Sequence, residues 1–121
     1  MGVYYSALFS NPVINGDSEI KFADLHVENL HHQSANVLVR LICDGGVVAE
    51  HLNRVKPSGD SKAYFRIPDM RLMSGPYGFQ VFTTITGHHP LKITVHLKDR
   101  DSSVTKTIGM DSFTEVDVVQ A

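Results

Sequence analysis

Seven histidines are the residues of this chain best suited to chemistry, and four of them form adjacent pairs, His31–His32 in NLHHQSA and His88–His89 in TGHHP. An imidazole titrates near pH ~6.5 and is a frequent zinc ligand, so such residues can move protons or hold an ion. Adjacent histidines rarely aim at one metal, however, and both pairs fall in turn-forming runs where side chains meet water. Two such turns at the same end of a domain offer one route to a metal site, but exposed turn residues are the expected reading and no metal is assigned. His26, His51 and His96 belong to strand-like runs instead.

Other candidate chemistry is thinner. Asp99, Asp101 and Ser103 in DRDSS resemble the start of a calcium loop, but the glycine and the distal bidentate glutamate are missing, which leaves a polar turn between strands. Asp111, Glu115 and Asp117 look like the solvent side of a last strand. Cys43 is the single cysteine, so no intramolecular disulfide exists, and its apolar surroundings predict a buried, unreactive thiol. No nucleophile elbow, zinc-protease, phosphate-loop or dinucleotide motif occurs. The chain is therefore expected not to be an enzyme, with no catalytic residue and no cofactor. Sugar binding has one foothold: there is no tryptophan, but the phase of SKAYFRIP turns Tyr64 outward, where it could stack on a ligand or partner.

The elements that must position these residues are strands. In PLKITVHLK, Leu91, Ile93, Val95 and Leu97 share one face and Lys92, Thr94, His96 and Lys98 the other. ANVLVRLIC puts Val37, Val39, Leu41 and Cys43 on one side and Leu38, Arg40 and Ile42 on the other, as in a central strand covered on much of both faces. EIKFADLHVENL shifts phase between Phe22 and Leu25, which predicts a β-bulge near Ala23 and Asp24. VVAEHLNRV, SKAYFRIP, YGFQVFTTIT, SVTKTIG and FTEVDVV follow. DGG, KPSGD, IPD, SGPYG, GHHP and DRDSS separate them as turns, and PDMRLMSGP has room for one helical turn. The chain is thus all-β: a single antiparallel β-sandwich, jelly-roll or immunoglobulin-like, of about eight or nine strands.

At 121 residues, 42% hydrophobic and 20% charged, the chain suits one folded domain. Eleven basic residues against thirteen acidic ones, scattered along the chain, give a charge of -2 and argue against binding nucleic acid. Residues 1–17 have neither a basic leader nor an apolar run long enough for a cleaved signal or a membrane span, and the cellular location is left open. They read as an N-terminal arm and connector, with the sandwich over 18–121. The sticky segment VYYSALF, set off by SNPVINGD, either packs on its own domain or lies on a neighbouring copy.

The order VENL, a polar turn, ANVLVRL, VVAEHLNRV, KPSGDSKAYFRI, GFQVFTTITG and LKITVHLKDRDSSV…DSFTEV resembles the small β-sandwich proteins of spore surfaces in Bacillus relatives, similar in plan to endospore-appendage subunits. The resemblance implies a jelly-roll-like domain that works by assembling, with residues 3–9 in the place of the connector. It implies no disulfide-linked connector here, because no cysteine lies in this N-terminus. The expectation is a structural protein that self-associates through strand edges and the arm into a filament or surface layer, with Val3, Tyr4, Tyr5, Leu8 and Phe9 as contacts. A ligand- or carbohydrate-binding module is the alternative. The expected partner is a second copy of the chain.

Overall fold

The computed structural model describes residues 2–14, 16–85 and 90–117. Alternating β-branched and aromatic residues lay down β1 (Gly2–Ser6), the two-residue β2 (Val13–Ile14) and β3 (Asp17–Ser18), β4 (Phe22–Asn29), β5 (Ala35–Cys43), β6 (Gly46–Val55), β7 (Tyr64–Arg71), β8 (Tyr77–Thr83), β9 (Leu91–Lys98), β10 (Val104–Ile108) and β11 (Phe113–Asp117). Nine of these build two antiparallel sheets, of order β11-β1-β8-β5-β6 and β10-β9-β4-β7, while β2 and β3 pair with each other. The fold is the expected β-sandwich.

Every second side chain points between the sheets. Val37, Val39 and Leu41 of β5, Phe79 and Val81 of β8, Leu25 and Val27 of β4, and Ile93 and Val95 of β9 are almost wholly buried there. At about 25 cal/mol per Å² of apolar surface, this layer is what holds the sheets together. The β5–β6 hairpin closes on Asp44 and Gly45, both with positive φ (52° and 80°), a two-residue turn whose twist matches the strands it joins. Gly78 lets the Leu8 side chain cross the strand closely: a Cβ there would lie 3.3 Å from Leu8, which would have to shift by a few tenths of an ångström.

The described residues 2–14 do not form a detached arm. β1 lies inside the five-stranded sheet, paired with β11 on one side and β8 on the other. Tyr4 is fully buried in the core, and Phe9 packs against it through a bridge to Tyr77. Asn11 staples the connector down: its amide donates to the carbonyls of Ile20 and Met73 at 2.8 and 2.9 Å, and its side-chain oxygen accepts from Ile20 N–H at 2.8 Å. Burying the Tyr4 ring and satisfying the exposed side of β8 both favour docking on the chain's own sheet.

Three local expectations shift as well. β4 pairs with β9 over eight residues without interruption, and the bulge lies opposite it, on β7, where Ala23 faces Met70 but Leu25 faces Ile67. The strand also runs through Pro68 instead of ending at IPD, because β7 is an edge strand where a missing N–H costs no ladder bond. No helical turn forms in PDMRLMSGP, and a short 3-10 turn sits at Met110–Ser112.

Candidate functional site

The outward faces of the two sheets differ in kind. On the five-stranded sheet the pairing registers align Val116, Val3, Phe82, Leu38 and Leu52 in one row across all five strands. The adjacent row holds Thr114, Tyr5, Gln80, Arg40 and Glu50, and beyond it Leu8 crosses Gly78 beside Ile42 and Val47. Leu52 is 75% exposed and Leu8 67%. Tyr5, Val47 and Val116 are also exposed, so the face is an apolar patch open to solvent. Leu38, Arg40, Leu52 and Phe82 border a hollow of about 330 Å³. The Arg40 guanidinium lies 5.1 Å from the centre of the Phe82 ring and pairs with Glu50 at 3.0 Å, so the charge in this face is locally balanced.

The predicted contact residues divide between the two sides of this sheet. Val3, Tyr5 and Leu8 belong to its outer face, whereas Tyr4 and Phe9 face inward. The Tyr4 hydroxyl donates to Glu115 at 3.3 Å, which draws Glu115 toward the inner side rather than to the expected solvent face. Sequence reasoning missed Leu38, Phe82, Leu52 and Val116 as one surface. Their signal is the off-phase apolar residues of LVRLI and FQVF, which it took for cover on both faces of a central strand.

On the four-stranded sheet the outer face is a satisfied polar network centred on Asp24. Its carboxylate accepts from Arg66 at 2.8 Å, from the Asp69 N–H at 2.7 Å and from the Lys98 ammonium at 3.0 Å. Burial pushes Asp24 upward, but the Asp69 N–H, Lys98 and Arg66 outweigh it and bring its pKa down to about 2. Bonds to Asp69 and Asp24 raise that of Lys98 in turn. The network ties the β7 bulge to β4 and to the end of β9, and so buries Lys98, which the alternation had assigned to solvent.

His26 and His96 lie beside this network with rings 5.0 Å apart, edge to face. Tyr64 faces outward as expected, and its hydroxyl is hydrogen-bonded to Nδ1 of His26. Burial, and then the neighbouring His96 and Arg66, hold His26 below its ordinary pKa. His96 Nδ1 meets the Thr107 hydroxyl at 3.1 Å. His31 and His32 stack on one another in their turn, with ring centres 4.2 Å apart, while His88 and His89 lie outside the described residues. Among the described residues no three His, Cys, Asp or Glu side chains converge as a metal site. Asp99 accepts the N–H groups of Asp101 and Ser103, so DRDSS is the polar turn expected. Cys43 is only half-buried, and burial raises its thiol pKa, partly offset by the Met73 N–H. Among the described residues no helix is long and apolar enough to cross a membrane.

No protein-family model matches the chain, and no curated protein matches it. A solved structure, the crystal structure of Thermotoga maritima 1070, is similar at a TM-score of 0.49 and 11% identity, covering 94% of this chain and 87% of that one.

Proposed function

We propose that this is a non-enzymatic structural protein that associates with copies of itself through the outer face of its five-stranded sheet. The observation that carries the reading is the apolar row Val116, Val3, Phe82, Leu38 and Leu52, in register across the sheet, with Val116 and Leu52 exposed and the other three partly so. A second copy suits it because the face complements itself. β8 is the middle strand of five. A two-fold axis along β8 would set Val3 against Leu38 of a second copy, Val116 against its Leu52, Phe82 against its own equivalent, and the Tyr5 ring against the guanidinium of Arg40.

The size is sufficient. Strands ~4.8 Å apart and three outward rows give roughly 500 Å² of flat face per copy, or roughly 1,000 Å² for a pair before side-chain relief is counted. This reading moves the contact from a donated arm to a folded surface, and keeps Val3, Tyr5 and Leu8 in it. A filament or layer needs a second contact, which the β6 edge offers. β6 is the longest strand, ten residues, but its bulge and its charged Glu50 and Arg54 guard it against unspecific pairing. The resemblance to assembling spore-surface sandwiches agrees with the reading.

Sedimentation velocity of the full chain over a wide concentration range tests it, with negative-stain imaging of the same samples. Reversible association with rising concentration is expected. A monomer throughout overturns the proposal.

A further inference from the structure

The sandwich is not closed along the flank where β6 and β7, the edge strands of opposite sheets, run side by side unpaired. A cleft of about 390 Å³ opens there directly onto the core. Leu41, Ile67 and Met70, all buried core residues, form its floor, and Ala49 and Cys43 its wall. The bulge of β6, between its pairs with Leu41 and Ile42, lies at this cleft, and His51, in register with the buried Val39, lines it.

The rim is polar in a selective way. Asp69, the one acidic residue lining the cleft among the described residues, is held by Lys98. Arg71 and His51 also stand at the cleft, and neither makes a side-chain hydrogen bond or ion pair within the described residues. An apolar slot whose lining includes an arginine with no side-chain partner among the described residues is complementary to a molecule with a hydrocarbon tail and a carboxylate head, since arginine binds carboxylates through two parallel bonds. At about 30 Å³ per water-sized group the slot holds on the order of a dozen carbons, one medium-length chain.

We infer that the β6–β7 cleft binds a single-chain amphiphilic carboxylate, its tail against Leu41, Ile67 and Met70 and its head at Arg71. This site lies on the flank of the sandwich and is independent of the self-association proposed above. It would make the subunit a carrier or sensor of free acyl carboxylates as well as a building block.

The test is isothermal titration calorimetry of the full chain with dodecanoate, run in parallel on Leu52→Glu so that the outer face does not contribute. Saturable binding of equal affinity in both proteins is expected, with no saturable binding of dodecylamine. Arg71→Gln should weaken binding about tenfold. Val48→Trp, which adds bulk at an exposed position lining the cleft, should abolish it while leaving the circular dichroism spectrum unchanged. Bound dodecanoate should also slow maleimide labelling of Cys43. No saturable binding, equal binding of the amine, binding lost in Leu52→Glu, or binding indifferent to both Arg71→Gln and Val48→Trp would each overturn the assignment.

Discussion

Replacing Leu52 by glutamate tests the self-association surface with little risk to the fold. Full burial of a leucine is worth about 2 kcal/mol, and Leu52 is still 75% exposed in the isolated chain. About 1.5 kcal/mol per side chain therefore remains to be gained on association. A two-fold interface contains the residue twice, so Leu52→Glu should remove about 3 kcal/mol, before the cost of desolvating two carboxylates. At 1.4 kcal/mol per factor of ten, the dimer should weaken by on the order of a hundredfold or more. Sedimentation equilibrium of both proteins measures this, and urea unfolding of the monomer checks the fold, where the change should stay within about 0.5 kcal/mol. An unchanged dissociation constant with an intact fold would refute the assignment of the outer face, whatever else associates.

Tyr4→Ala should cost about 3–5 kcal/mol in urea unfolding of the monomer, since it empties a core position. An arm that anchors only in a neighbour predicts no such loss. Deleting residues 2–10 should likewise abolish cooperative folding, read by circular dichroism, because it exposes one side of β8 and unpairs β11. Asp24 is held at about 2 in the fold against 3.8 when free, so its contribution is complete above the free value and is lost as pH falls through it toward 2. That loss is about 2 kcal/mol of stability, and acid titration of Asp24→Asn should show it missing. The His26 pKa is lowered in the fold by burial and its neighbours, so stability should drop as pH falls below about 6.5, where the unfolded chain takes up the proton first. In an NMR titration its inflection should lie below that of free imidazole, and His96→Ala should raise it.

Alternation along the chain was enough to establish the class of fold, because a residue's side of a strand follows from its position in a period of two, whatever the partner strand is. The inward sets of β5 and β9 were legible for that reason, and so was the turn at Asp44–Gly45. Which strand lies beside which is a long-range matter, and local pattern cannot carry it. β1 looked like a loose arm from the composition of its neighbours. It becomes an interior strand because β8 offers an unsatisfied edge and the core a place for Tyr4. Lys98 looked solvent-facing, and only the meeting of β4, β7 and β9 supplies Asp24 and Asp69 to neutralise it. The outer apolar face has the same origin. Val116, Val3, Phe82, Leu38 and Leu52 come from five separate runs, and cross-strand register makes them neighbours. Local sequence determines which way each side chain points; tertiary pairing decides which side chains share a surface, because contacts in a sheet run perpendicular to the chain.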